Sequence, residues 1–128
     1  IETSFQLKKV LKKYLPNAKE HKILAQIFQA IRIEVNEELD VLKEFLEQSL
    51  EILKPGGRLS VISYHSLEDR LVKRFMKNGL FEGEPERDFF GNFSVPFNSI
   101  EKLIVPSDEE IKLNNRARSA KLRVAEKK

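Results

Sequence analysis

The side chains best suited to chemistry fall in one short stretch, Ser63-Tyr64-His65-Ser66, directly after a β-favouring run and directly before a helix-start pattern. In open α/β sheets, ligands collect beyond the carboxyl ends of the strands. A histidine at such a point can bind or move a proton near neutral pH. The helix start adds free backbone N–H groups and a positive dipole end for an anion or a lone pair. Glu68 and Asp69 are near enough in sequence to orient the imidazole. The same residues also read as a helix cap and no more, and spacing alone leaves both readings open.

Several chemistries are excluded by composition. There is no cysteine and only two histidines, His21 and His65, so neither a disulfide framework nor an ordinary zinc centre can be assembled, and a metal would need carboxylates. The five glycines (56, 57, 79, 83 and 91) form no glycine-rich turn after a strand, the feature that cradles a nucleotide phosphate, because Gly56-Gly57 precedes its strand. No G-x-S-x-G elbow, H-E-x-x-H pair or P-loop occurs. The chain therefore carries at most half of an active site.

The elements that must position this stretch follow from periodicity. Phe5, Leu7, Val10, Leu11, Tyr14 and Leu15 predict an amphipathic helix stopped by Pro16, and a second helix is expected from His21 to Ile33. Asn36 is a suitable N-cap for a long helix whose stripe runs Val35, Leu39, Leu42, Leu46, Leu50 and Leu53 before Lys54-Pro55-Gly56-Gly57 ends it. Arg58 to Tyr64 reads as a short, largely buried strand. Ser66-Leu67-Glu68-Asp69 matches a capping box that opens a helix with Leu67, Leu71, Val72 and Phe75 on one face and Gly79 at its end. Residues 80 to 99 hold five of the nine phenylalanines in a loop expected to be pinned onto its neighbours by its rings. Strands are expected over Ile100 to Val105 and from Arg118 onward, with a capped helix at Ser107 between them. Three strands and about five helices in this order have the rhythm of a doubly wound α/β protein.

With 128 residues, 41% hydrophobic and 34% charged, the chain has the size of one domain and too much apolar material for disorder. No apolar run reaches the roughly 18 to 20 residues of a membrane span. The net charge is +3, but residues 112 to 128 alone carry +6, so the body is mildly acidic and the tail basic. Such a tail fits an anionic partner such as nucleic acid, and equally a solvated terminus. Ile1 as first residue and Met76 as sole methionine read as part of a longer protein.

Four blocks together resemble a known family. Phe28-Gln29-Ala30-Ile31-Arg32-Ile33-Glu34-Val35-Asn36, Leu53-Lys54-Pro55-Gly56-Gly57-Arg58-Leu59, Ile62-Ser63-Tyr64-His65-Ser66-Leu67-Glu68-Asp69-Arg70 and Asn115-Arg116-Ala117-Arg118-Ser119-Ala120-Lys121-Leu122-Arg123 stand in the order and spacing of the bacterial 16S ribosomal RNA N(4)-cytosine methyltransferases. Lys22-Ile23 and Asn114-Asn115 depart from the histidine-proline and asparagine-proline steps common there. The resemblance implies a cytoplasmic, S-adenosylmethionine-dependent enzyme with a Rossmann-like sheet interrupted by a helical domain. Residues 1–33 would end that insertion and 34–128 would form the C-terminal part of the sheet domain. The cofactor would be held mainly by segments upstream of Ile1, so this chain alone is expected neither to bind it nor to transfer methyl groups.

His65, Ser66 and Tyr64 would contact the acceptor amine, and Arg32, Arg116, Arg118 and Lys121 would grip the phosphates of an extruded nucleotide. The partner would be 16S ribosomal RNA within the small ribosomal subunit, with no membrane. Two other readings compete: an RNA-binding piece without catalysis, and a structural half-domain whose strand from Leu59 to Ile62 has an open edge and so forms a homodimer.

Overall fold

The computed structural model describes the backbone of residues 1–128 and every side chain except that of residue 102. The chain divides into two compact units, residues 1–38 and 39–128.

In the first unit, α1 (Ser4–Leu11) begins with a capping box: the Gln6 amide donates to Thr3 Oγ1 at 3.2 Å, and the Thr3 amide to Gln6 Oε1 at 3.4 Å. It tightens into a 3₁₀ turn at Lys12–Tyr14 and stops before Pro16. The apolar stripe of α1 buries nothing, and Phe5 and Tyr14 are exposed. Then α2 (Glu20–Val35) buries only Leu24. Asn36 is not the N-cap expected of it. Its amide is consumed by Arg32 O at 3.0 Å, which makes it the last cap of α2, and the chain breaks only at Glu37, in the left-handed region at φ 51°. Val35, expected in the stripe of the next helix, is thus an exposed residue of α2.

The second unit is built on α3 (Glu38–Ile52), β1 (Arg58–Ser63), α4 (Ser66–Asn78), β2 (Phe97–Ile104), α5 (Asp108–Leu113) and β3 (Lys121–Lys127). The sheet has three strands in the order β1-β3-β2, with both pairings antiparallel, so β1 and β2 run the same way on either side of β3. Leu59 pairs with Ala125, Val61 with Arg123 and Ser63 with Lys121, and strand alternation places these six on one face. Against that face pack Leu46 of α3 and Val72, Phe75 and Met76 of α4, closing one core with Phe97. Residue Ile62, on the other face, is 57% exposed, so β1 is a one-sided strand and not the largely buried one its composition predicts. Among the described residues β1 pairs only with β3, which leaves its outer edge open.

Two boundaries and one loop differ from the sequence reading. β2 starts at Phe97, three residues early, and is irregular between Ser99 and Ile104. β3 starts at Lys121 and not at Arg118, because Asn115–Ser119 coils into a 3₁₀ turn: Asn114 Oδ1 accepts from the Arg116 amide at 3.1 Å, and the Ala120 amide donates to Ala117 O at 2.8 Å. The phenylalanine loop is pinned at its ends only. Phe81 stacks on Phe75 with centroids 4.9 Å apart and Phe97 lies 6.0 Å from the same ring, while Phe89 and Phe90 point to solvent.

Two joints fix the helices to the sheet. Lys127 Nζ donates to Leu50 O at 2.7 Å and Leu53 O at 2.8 Å, placing a cation on the negative end of α3. Gly79 ends α4 at φ 72°, and a Cβ there would stand 2.6 Å from the Pro96 ring, so only glycine fits the close approach. No helix of the described residues is long and apolar enough to cross a membrane.

Leu46 is fully buried at the centre of the α3–α4–sheet core. Leu46→Ala should lower unfolding free energy by about 2–5 kcal/mol in urea titration. Val41→Ala on the exposed side of α3 should change it by less than about 0.5 kcal/mol.

Candidate functional site

The stretch Tyr64-His65-Ser66 lies where β1 turns into α4. The N-cap is His65, one residue before the serine expected in that role: its Nδ1 accepts from the Glu68 amide at 3.4 Å. Glu68 answers with Oε2, which accepts from the Tyr64 amide at 2.9 Å and the His65 amide at 3.3 Å. The turn is thus stitched from both sides, and the carboxylate offsets the positive end of the helix.

This pairing assigns the neutral imidazole's tautomer. With Nδ1 accepting, the ring hydrogen sits on Nε2. Nε2 is buried, lies 3.2 Å from Glu68 Oε1 and has no aligned hydrogen bond. Beside it, Ser66 and Tyr64 are exposed, and the amides of Ser66 and Leu67 have no acceptor within the helix. At the end of β1, Ser63 Oγ is buried without a partner. The Ser66 and Tyr64 hydroxyls and the free helix-start amides can therefore offer hydrogen-bond donors from a fixed frame, with His65 Nε2 and Ser63 Oγ enclosed behind them.

Asp69 does not orient the imidazole. Its carboxylate turns under α4 and takes a two-pronged contact from Arg123, Nε to Oδ1 at 2.7 Å and Nη2 to Oδ2 at 3.2 Å, with Lys121 Nζ at 3.4 Å from Oδ2. The Asp69 and Arg123 side chains are each only 11% exposed. Burial pushes the Asp69 carboxyl up, but the Arg123 hydrogen bonds and the charges of Arg123 and Lys121 outweigh it and hold the group below its ordinary value. Sequence reasoning missed this pair, although one signal existed: Asp69 sits three and seven residues before Val72 and Met76, on the buried stripe of α4.

The cations expected to grip phosphate are therefore not equivalent. Lys121 is engaged by Asp69. Arg32 belongs to the first unit and its Nε lies 2.8 Å from Glu38 Oε1. Arg116 and Arg118, in the 3₁₀ turn before β3, are exposed, with no side-chain partner among the described residues. The Gly56-Gly57 turn lies at the far end of β1 from His65, tied to the end of β3 by the Gly56 amide on Lys127 O and the Lys127 amide on Gly57 O, both 2.8 Å. It is a hairpin-like fastening and not a phosphate cradle.

An α/β half-sheet with a histidine-capped turn at a strand end matches a known family over its whole length. The chain belongs to the MraW methylase family, whose sequence model matches residues 1–128. It is 81% identical over 127 residues to the ribosomal RNA small subunit methyltransferase H of Flavobacterium johnsoniae, 80% over 122 residues to that of Flavobacterium psychrophilum, and 59% over 127 residues to that of Cytophaga hutchinsonii. These alignments cover 99%, 95% and 99% of this chain but only 42%, 42% and 43% of the relatives, so the chain spans less than half their length.

Removing the Asp69 carboxylate takes away the anion that Arg123 meets in a largely closed site, and Asp69→Ala should cost about 3–5 kcal/mol of stability. Because the folded pKa is depressed, the pair's contribution is complete above the ordinary carboxyl value of 3.8 and is lost as pH falls through the lower folded value. Denaturation followed from pH 7 to pH 2 should show that acid loss in the wild type and a flatter curve in Asp69→Asn.

Proposed function

We propose that the full-length protein is a cytoplasmic, S-adenosylmethionine-dependent methyltransferase that modifies the exocyclic amine of a cytosine in the 16S ribosomal RNA of the small ribosomal subunit. In this reading residues 34–128 are the C-terminal part of a Rossmann-like sheet domain, and the helices of residues 1–33 end an inserted helical domain. What supports it most is the fixed, histidine-capped turn at the end of β1, in a chain whose relatives are named ribosomal RNA small subunit methyltransferase H.

When bound, S-adenosylmethionine supplies the methyl group. None of the five glycines here follows a strand, so this chain's residues do not form the turn that would cradle its nucleotide part, and none is assigned to it. The acceptor side is different. Attack by the amine nitrogen requires the base to be held so that its lone pair faces the methyl carbon, and positioning of this kind accounts for several kcal/mol of barrier. Since His65 Nδ1 is occupied by the Glu68 amide, the ring acts as a donor. Nε2 is enclosed beside Glu68, so the turn must open for its N–H to reach a base, where it fits the acceptor edge of a cytosine, its carbonyl oxygen or ring nitrogen, and not the amine itself. Ser66 and Tyr64 can complete those contacts with their hydroxyls. Arg116 and Arg118 are the cations with no partner to lose on meeting phosphate, and Arg32 and Lys121 would have to share theirs. The open edge of β1 supports self-association of the chain when it stands alone.

The test separates cap from chemistry. Asparagine retains an oxygen that can accept from the Glu68 amide but has no counterpart of Nε2–H in the same place. In the full-length enzyme His65→Asn should keep the melting temperature within a few degrees while the single-turnover rate on small-subunit RNA falls by about 10²-fold. A variant that keeps the full rate would make His65 a cap only.

A further inference from the structure

The loop after α4 carries a device that the turn at His65 does not use. Phe89 and Phe90 are 97% and 85% exposed, adjacent, and held edge to face with centroids 5.6 Å apart. Their exposure is constructed. The Asp88 amide donates to Asn92 O at 2.9 Å, Asp88 Oδ1 accepts from the amides of Phe90 at 2.9 Å and Asn92 at 2.8 Å, and Asp88 Oδ2 accepts from Asn92 Nδ2 at 3.2 Å. Gly91 takes φ 83°, a left-handed turn suited to glycine. The guanidinium of Arg87 lies 4.7 Å over the Phe93 ring across the neck of the same turn. The root is fixed as well, by Phe81 on Phe75 and by Arg74 Nη2 donating to Gly83 O at 2.9 Å. An apolar core that accepts three other phenylalanines is close in sequence, yet these two rings are turned outward.

The charge around them selects the occupant. Residues 81–93 carry Glu82, Glu84, Glu86 and Asp88 against Arg87 alone, a net −3, and the three glutamates are exposed. Phosphate brought to this tip would meet carboxylates, and the one cation is already over Phe93. A lysine- and arginine-rich surface meets the reverse: ring faces that attract guanidinium and ammonium groups and cover their apolar stems, with carboxylates beside them for the charge. Exposed aromatics on a rigid turn are also the residue type that dominates protein–protein contacts.

We propose that residues 81–93 dock the full-length protein onto a basic protein of its ribonucleoprotein substrate, leaving the RNA to the cations of the C-terminal segment. This rests on the reading that the substrate is the small ribosomal subunit, a particle of RNA and basic proteins.

The experiment uses the full-length protein, the double variants Phe89→Ser/Phe90→Ser and Glu84→Lys/Glu86→Lys, purified small ribosomal subunits, and the same RNA stripped of protein. Because all four positions are exposed, both variants should melt with the wild type. Co-sedimentation should show binding to intact subunits weakened about ten-fold or more in each variant. Binding to stripped RNA should be unchanged for the serine variant, and unchanged or tighter for the lysine variant. Equal loss on both substrates would mean that the rings stack on bases, and no loss on either would mean that the tip docks nothing. Protection of the Phe89–Phe90 bonds from chymotrypsin in the free full-length protein would mean that the loop packs on its own upstream half. Any of the three overturns the proposal. Wild type that methylates neither substrate would instead overturn the reading of function, whatever the variants bind.

Discussion

One ion pair connects the parts of this chain that carry its signature residues. Asp69 is in the first turns of α4 and Arg123 in the middle of β3, 54 residues apart, and their two-pronged contact fixes the start of the helix over the sheet. The position of His65 depends on it, since the histidine is the N-cap of that helix and moves with it. Two charges this enclosed are costly to desolvate, and replacement by apolar residues of like shape could leave the fold as stable. Their contribution is a directional one. A carboxylate engaged by a guanidinium on two sides sets both the distance and the rotation of α4, where a layer of aliphatic side chains would permit sliding.

The same logic alters the meaning of the basic C-terminal segment. Read as sequence, residues 112–128 are a +6 tail. In the folded chain Lys121 and Arg123 turn inward to Asp69, and Lys127 closes the carboxyl end of α3. These three cations hold the sheet to its helices. What faces outward for an anionic partner is smaller: Arg116 and Arg118 in the 3₁₀ turn, with Lys112 and Lys128 at either end of the segment. The acidic, aromatic tip at residues 81–93 has the opposite sign, so the surface is divided by charge in a way that the net value of +3 conceals.

Much of this was legible from residues alone. The stripe of α3, the Pro-Gly-Gly stop, the short strand and the glycine end of α4 all follow from local patterns, and local patterns act within a few residues. The three strands and five α-helices appear in the expected order. What was not legible depends on competition or on distance. Asn36 can start or end a helix, and only the hydrogen bond to Arg32 decides which. The capping serine loses to His65 because Glu68, and not Asp69, is in reach of the β1 end. Lys121 and Arg123 alternate with Leu122 and Val124 in β3, but which side faces the core is fixed by pairing with β1 and by a carboxylate on another element. The two exposed phenylalanines belong to a loop expected to be pinned by its rings, and they are held outward by one aspartate.

The central claim is that Asp69 and Arg123 act as one unit. A double-mutant cycle of Asp69→Ala and Arg123→Ala on urea denaturation at neutral pH tests it most directly. The account predicts that the double variant loses less than the sum of the singles by about 2–3 kcal/mol, the scale of groups that share one network. Losses that add to within about 0.5 kcal/mol would show that the two residues stabilise the fold independently and that something else holds α4 to β3.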